Sequence, residues 1–436
     1  MSSHLDTILL PWFRTHHPHT RAALIVNSVV SAMRLEQLLA PRLQAEGLTV
    51  AANTGLNPRA ARRASYTADV LIGTSTVDVG VDFRINLLMF EAPSAATFLQ
   101  RLGRLGRHKD FEHQGQCYTF REFAAYALVP PFVYERLFVG HNGEPPALAQ
   151  GATLTREELT AHINKVYPAP ARFDHYARRW GRFQPAKVYD TLKNARIRDS
   201  YADLRERLKK RYYHLTSSYM STALRDWKAH HLAGTELLVA EAQSFRGGSP
   251  FDCGLIKQDE AATSEPLTYN LFWLLANAHL ELLDQEAFRA ALHQMGASDR
   301  PFQATFQAAS FRWRGFRAQP EKVTVLLDPA VSAWDNTRHY SAQVLPGIAL
   351  ECLGHEFMNP LNRTLATRRV VGLLVPGYHP QQLRREVYLP GHFPLHRYCD
   401  DNNRDGTIAF GRQALLLDSV LMYRKHKLHN GAPIFC

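Results

Sequence analysis

The first 120 residues carry a regular alternation of two hydrophobic patterns. Ala22 to Asn27 (AALIVN) is a short, unbroken apolar run, the signature of a strand buried on both faces. Ser31 to Glu46 places Leu35, Leu38, Leu39 and Leu43 at helical spacing, and Gly47 closes it. Leu48 to Asn53 reads as the next strand and Arg59 to Tyr66 as a short basic helix. Asp69 to Gly73 and Ile85 to Glu91 read as a third and a fourth strand, Ala95 to Leu105 as a helix and Gln116 to Phe120 as a fifth strand. Strands alternating with helices predict a parallel sheet with right-handed crossovers, and such sheets bind ligands at the carboxyl ends of their strands.

The rhythm stops near residue 123. Residues 150 to 232 read as mainly helical, interrupted at Pro168, Pro170 and Pro185. Beyond 233 the pattern is mixed. Glu236 to Glu241, Lys322 to Leu327, Val370 to Val375 and Glu386 to Leu389 read as strands. Tyr269 to Met295 reads as one or two helices, and Gln413 to Tyr423 as a last one. The expected organisation is a linker over 1–12, an α/β domain over 13–125, a helical basic domain over 126–232 and a mixed α/β domain over 233–436.

Composition adds charge to this picture. The 436 residues are 45% hydrophobic and 21% charged, an ordinary globular mixture that excludes a disordered tail, a collagen-like rod and a disulfide-rich miniprotein. The formal charge is +11. Most of it lies in one place: Arg172 to Lys228 holds fifteen Lys or Arg against six Asp or Glu, a net of +9. Aromatic residues are interleaved there, among them Tyr189, Tyr212, Tyr213 and Tyr219. Two arrangements fit this stretch. One is a single-strand channel in which rings stack bases while Arg178, Arg179, Lys209, Lys210 and Arg211 track phosphates. The other is a helical domain with an aromatic core and solvated charges. The five cysteines form no CxxC pair, which argues against a structural zinc site and for free thiols. No signal peptide and no stretch long enough to span a membrane is visible, so a cytoplasmic protein is expected.

Two blocks carry chemistry. Gly73 to Asp82 (GTSTVDVGVD) follows a predicted strand. Its Thr and Ser hydroxyls suit phosphate oxygens, Gly80 permits close backbone approach, and Asp82 can accept from a ribose hydroxyl. Gln100 to Arg107 (QRLGRLGR) sets three arginines at spacing three, which on a continuous helix would line one side. Guanidinium groups suit phosphate oxygens and the charge that develops in phosphoryl transfer, and Gln100 could orient a water. Taken singly, the first block also fits a loop with capping residues, and the second a solvated helix face.

With both blocks in a strand–helix context, residues 22 to 120 resemble the second RecA-like domain of a superfamily 2 helicase. Ala23 to Leu35 is similar to motif IV, Thr74 to Asp82 to motif V and Gln100 to Arg107 to motif VI. The resemblance implies an ATP-dependent motor with ATP and Mg2+ as cofactors. It implies that Thr74, Asn27, Thr54 and Gly55 lie along the nucleic-acid backbone and that Gly80 and Asp82 sit beside the nucleotide. Gln100, Arg104 and Arg107 would reach the γ-phosphate, and Arg101 fits packing or an internal ion pair. Many relatives have a His near Thr54-Gly55, so Arg59, Arg62 and Arg63 are possible substitutes for that contact. The Asn-Ser after the first strand and the wording TSTVDVGVDF resemble CRISPR-associated helicases. Ser244 to Pro250 and Gly391 to Pro394 resemble the helicase subunit of type I-D systems. Implied partners are single-stranded DNA, a guide-RNA effector complex and a separate nuclease subunit.

Neither a GxxxxGK[ST] phosphate loop nor a DExH or DExD box follows a strand anywhere in the sequence. Both belong to the first RecA-like domain of such helicases. The expectation is therefore a chain that begins in the linker between the two motor domains. It would hydrolyse ATP only with a first domain supplied in trans or in a longer protein. A non-catalytic binding module and another superfamily 2 remodeller acting on DNA or RNA are the competing readings. Phe311 to Arg317 alternates apolar and basic residues, as a nucleic-acid- or partner-facing strand or a half-buried edge strand would. Asp401 to Gly406 opens like a calcium loop, but the twelfth position is Arg412 instead of Glu, so it is read as a turn. No His-Asp dipeptide and no HExxH motif supports a metal nuclease.

Overall fold

The computed structural model describes residues 5–57, 59–78, 82–113, 115–141, 143–168, 173–232, 235–244, 249–257, 266–297, 308–327, 341–400 and 404–422. Two compact units divide the described chain, one up to residue 168 and one from 173 onward.

The first unit is an α/β domain around a five-stranded sheet. Its strands are β1 (Ala22–Ile25), β2 (Val50–Asn53), β3 (Val70–Gly73), β4 (Leu87–Glu91) and β7 (Ala124–Leu128), in the order β2-β3-β1-β4-β7. Every pairing is parallel; Ile25 lies between Gly73 and Phe90. All four residues of β1 are buried, and successive side chains serve opposite faces. Ala22 and Leu24 pack with Phe13, Leu39 and Leu43 on one face, whereas Ala23 and Ile25 pack with Phe98, Ile163 and Val166 on the other. Each fully buried Leu, Ile or Val here contributes ~1.5–3 kcal/mol. The first face is covered by α1 (Leu10–His16) and α2 (Val29–Ala45), the second by α4 (Ala95–Leu102) and α6 (Arg156–Val166).

Helix starts follow their capping chemistry. The Ser28 hydroxyl accepts from the Ser31 N–H at the head of α2, and Ser94 does the same for Thr97 at the head of α4. Helix α6 begins with a capping box between Thr155 and Glu158.

Two expectations in this unit are corrected. Gln116–Thr119 (β6) pairs with Asp110–His113 (β5) in a separate antiparallel hairpin, and Ala124–Leu128 supplies the fifth strand of the sheet instead. Helix α4 stops at Leu102, where Gly103 caps it, and Gly106 takes φ +74°. Arg104 and Arg107 therefore lie in the turn after the helix, and the three arginines do not form a row on one helical side.

The second unit opens with helices α7 (Asp174–Arg179), α8 (Phe183–Thr191), α9 (Ala202–Thr216), α10 (Met220–Leu232) and α11 (Glu236–Gln243). The expected strand at Glu236 to Glu241 is thus a helix. A short apolar run does not distinguish the two, and its Leu, Ala and Glu content favours helix. Two sheets follow. One has the order β10-β11-β8-β9, with β8 Asp252–Ile256, β9 Leu267–Asn270, β10 Ala278–Leu283 and β11 Ser310–Phe316. The other has the order β13-β15-β17-β16-β12-β14, from β12 (Thr324–Leu326), β13 (Gln343–Leu345), β14 (Ala349–Glu351), β15 (Val370–Pro376), β16 (His396–Cys399) and β17 (Asp405–Phe410).

Two more expectations change here. Tyr269 to Met295 holds two helices, Leu271–Asn277 and Gln285–Gln294, but strand β10 separates them. Glu386 to Leu389 closes the helix Pro380–Glu386 in place of a strand, with Tyr388 at φ +55°. Strand β11 pairs with β10 along its length but with β8 only at Ser310–Arg312, so among the described residues Trp313 to Phe316 have a strand neighbour on one side, as the half-buried edge reading expects; Arg312 and Arg314 both pair with Glu281 on β10. The core of this unit joins Trp180, Phe183 and Val239 from the helices to Val371, Leu373 and Val375 of β15 and to Leu417 of the last helix, Gly411–Leu421.

Candidate functional site

Adjacent strands of a parallel sheet end on the same edge, and that edge gathers most of the predicted residues of the first unit. Thr54 and Gly55 follow β2, Thr74 follows β3, Asn27 follows β1 and Glu91 ends β4. Across this edge, the end of α4 and the turn after it supply Gln100, Arg101, Arg104 and Arg107.

Asp78 organises the arrangement. Its two carboxylate oxygens accept from Nε and Nη2 of Arg101, each at 3.0 Å. Arg101 is 2% exposed and directs Nη1 to Asn27 Oδ1 at 3.0 Å and to the Glu91 carbonyl at 2.7 Å. A buried guanidinium is tolerated only when its donors are met and its charge is paired, and both conditions hold here. The carbonyl of Asp78 accepts two further donors, Gln100 Nε2 at 2.8 Å and an Nη2 hydrogen of Arg104. One residue in the middle of the motif-V-like segment thus holds three side chains of the motif-VI-like segment. Of the two alternatives for Arg101, the ion pair is the one formed.

Arg104 is buried, with its guanidinium 5.8 Å from the Phe83 ring centroid. Burial, then the neighbouring Arg107 charge, lowers its pKa from the ordinary guanidinium value; a guanidinium nevertheless stays charged at neutral pH. Arg107 is exposed, and its Nε donates to the Gly103 carbonyl at 2.7 Å. That geometry directs the rest of an exposed fork toward solvent, as an anion-binding side chain requires. Asp82 is also exposed and lies 2.8 Å from Nε2 of His108. That contact holds its carboxyl below the usual carboxylate range. Gly80 lies outside the described residues.

The hydroxyls along the edge are used within the protein. Thr54 Oγ1 donates to Asn57 Oδ1 at 2.6 Å, and the same oxygen accepts the Thr54 N–H at 2.9 Å. Thr76 Oγ1 donates to the Asn53 carbonyl at 2.8 Å and lies 3.4 Å from Thr74 Oγ1. Thr54 and Thr74 are both buried, so they shape the loops, and Gly55 offers partly exposed backbone between them.

The basic candidates of the second unit differ in their partners. Arg179 is committed to the buried Asp418, which also accepts from Trp180 Nε1 at 2.6 Å. Lys209 pairs with Glu206 at 2.7 Å. Arg178, Lys210 and Arg211 are exposed.

Sequence reasoning missed Asp78, Glu91, Thr76 and His108. Asp78 stands inside a block already singled out, and its partner Arg101 stands inside the other. An acidic and a basic residue in two blocks expected at one sheet edge was the available signal.

Residues 19–110, about a fifth of the chain, match a family model described as CRISPR-associated nuclease/helicase Cas3, C-terminal. The match spans β1 to the start of β5 and includes every residue of the Asp78 arrangement. No curated protein sequence matches the chain. Among solved structures, a crystal structure of T. fusca Cas3 with AMPPNP is 14% identical with TM-score 0.33, over 93% of this chain and 38% of that one. A CRISPR RNA-guided surveillance complex, pre-nicking, is 18% identical with TM-score 0.27, over 38% of this chain and 22% of that one. The Pyrococcus furiosus Hef helicase domain is 19% identical with TM-score 0.21, over 30% of this chain and 25% of that one. The chain therefore spans well under half the length of these chains. Among the described residues, no helix is long and apolar enough to cross a membrane, and no group of three or more His, Cys, Asp or Glu is placed to hold a metal ion.

Proposed function

We propose that the first unit is the second motor domain of an ATP-dependent DNA helicase or translocase of CRISPR interference, type I-D-like, working in the cytoplasm. The observation that carries this reading is the Asp78 arrangement within the matched segment 19–110. It binds the strand-end block to the arginine block at the carboxyl edge of a parallel sheet, where such sheets bind ligands.

In this reading the chain supplies the arginine side of an ATP cleft. Arg107 presents an exposed guanidinium, and Arg104 is held by Asp78 one turn earlier. These charges suit a nucleotide's terminal phosphates, with Gln100 beside them; Asp82 would accept from the ribose, and the resemblance assigns Gly80 to the same nucleotide. Bound ATP with Mg2+ would supply the phosphoryl-transfer energy, with the metal held by the first RecA-like domain. This chain's residues orient the phosphate and neutralise charge on it, a contribution of about 10³–10⁵ in rate for an arginine finger. Gly55, Thr74 and Asn27 border the loops along which a DNA backbone would run. A guide-RNA complex that displaces one DNA strand would present the substrate, and a separate subunit would cut it.

The test is ATP turnover stimulated by single-stranded DNA or RNA. The chain is measured alone, with a first RecA-like domain added, and as Arg107→Ala in the same mixture. Turnover only in the mixture, stimulated by DNA and lost in Arg107→Ala, is the expected result. Ordinary turnover by the chain alone, or stimulation by RNA and not DNA, overturns it. No turnover in any mixture with DNA binding retained replaces it with the binding-module reading.

A further inference from the structure

Helices α8, α9 and α10 enclose a groove of about 800 Å³ in the second unit. This volume lies within the usual range for a small-ligand site. Its floor is apolar, made by the buried side chains of Met220 and Leu224. Its rim carries two tyrosines that a core-forming role does not explain. Tyr213 is 46% and Tyr219 67% exposed, with ring centroids 5.2 Å apart and planes tilted by 35°. Tyr189 is buried at the inner end, with Lys193 Nζ 4.8 Å and Lys209 Nζ 5.8 Å from its ring centroid.

Four cations line the same space: Lys193, Lys209, Arg225 and Lys228. Three have a carboxylate beside them: Glu206 at 2.7 Å from Lys209, Asp190 at 3.4 Å from Lys228, and Asp226 at 3.5 Å from Arg225. Among the described residues Lys193 has no such partner and faces only the Tyr189 ring. Exposed ion pairs of this kind are worth ~0–1 kcal/mol and exchange readily for a phosphate. The groove therefore joins exposed π-faces, an apolar floor and exchangeable or unpaired ammonium groups in one concave site.

We infer that this groove binds single-stranded nucleic acid: a base stacks on Tyr213 and Tyr219, and flanking phosphates meet Lys193, Lys209 and Lys228. The flanking charge fits that occupant, since the stretch from Arg172 to Lys228 carries a net +9. A duplex keeps its base faces stacked inside and offers none to the tyrosines. The inference stands on the groove and does not depend on ATP chemistry in the first unit.

The experiment uses the full chain without nucleotide and a fluorescein-labelled oligothymidylate, oligouridylate or duplex, read by polarisation. Tyr213→Ala/Tyr219→Ala should weaken the oligothymidylate by about tenfold or more, as loss of base stacking does. Tyr213→Phe/Tyr219→Phe, which keeps both rings, should bind within about twofold of the parent. Lys193→Ala should lower the salt slope by about one. A bromodeoxyuridine strand should photocrosslink to the peptide holding Tyr213 or Tyr219, which locates it whatever residues 1–169 contribute. Unchanged affinity of the Ala pair together with crosslinks elsewhere overturns the inference. So does duplex binding as tight as single-strand binding, or displacement by polyglutamate as effective as by unlabelled oligonucleotide. Failure of the ATPase reading leaves these measurements unaffected, because no nucleotide is present.

Discussion

Asp78 and Arg101 form a two-pronged ion pair, with Nε and Nη2 of the guanidinium each 3.0 Å from a different carboxylate oxygen. Their side chains are 12% and 2% exposed. Breaking a buried pair by removing one partner leaves the other charge desolvated and typically costs about 3–5 kcal/mol. Arg101→Ala should therefore lower unfolding stability in urea by about 3 kcal/mol. Arg101→Lys should recover little, because an ammonium cannot serve Asp78, Asn27 and Glu91 together. A loss under ~1 kcal/mol for the alanine variant would contradict the pairing.

Arg104 and Arg107 separate stability from chemistry. Arg104 is buried against Phe83 and bonded to the Asp78 carbonyl, so Arg104→Ala should cost about 1–2 kcal/mol of stability as well as activity. Arg107 is exposed, and Arg107→Ala should melt within ~0.5 kcal/mol of the parent while abolishing turnover in the two-domain mixture. Paired thermal melts and ATPase assays read both effects.

His396 gives the second unit a pH dependence. Its ring stacks on Phe272 with centroids 3.7 Å apart. Burial, with the Arg384 charge adding to it, pushes its pKa from 6.5 down to about 4. The folded state binds a proton less readily than the unfolded state, so protonation favours unfolding. The contribution is fully present above 6.5 and is lost as pH falls toward 4. It is on the order of 1–3 kcal/mol. His396→Phe should flatten the decline in melting temperature between pH 7 and pH 4; an unchanged decline would show that other groups carry it.

Asp418 anchors the helical segment of the second unit to its last helix. It is 1% exposed and receives Trp180 Nε1 and the Arg179 guanidinium. Asp418→Ala leaves that indole donor and the arginine charge without their acceptor. It should cost about 3 kcal/mol in chemical denaturation. Asp418→Asn keeps one acceptor and should cost less; equal losses would assign the effect to charge alone.

Much of the first unit was legible because its strands are uniform apolar runs and its helices show a 3.6-residue period. Ala22 to Asn27 and Val70 to Gly73 can be little else in an alternating α/β pattern. The fifth strand was misplaced because AAYAL is weakly apolar, whereas QCYT borders an aromatic cluster of Phe111, Tyr118 and Phe120 that belongs to the hairpin. The end of α4 was missed because leucines at 102 and 105 continue the period past Gly103, and the glycine cap overrides them. At the site, residue types and loops were readable, but the sharing of Asp78 was not. Which guanidinium turns inward depends on where the helix ends, and that was the misjudged boundary. In the second unit, Glu236 to Gln243 and Ala278 to Leu283 exchanged identities because six to eight residues hold too few periods to decide.

The short helical turn Ser75–Val77 joins Thr74 to Asp78, and Gly73 packs so closely on Val77 that an added Cβ would stand 2.6 Å from a Val77 methyl carbon. The strand end, this turn and the Asp78 carboxylate thus behave as a stiff crank rather than a slack loop. If Thr74 meets a nucleic-acid backbone as proposed, a push there would pass through this turn to Arg101 and Arg104, which Asp78 holds. Gly73→Ala would loosen that crank, so its signature would be impaired coupling between strand engagement and the arginines, with the parts at either end still present.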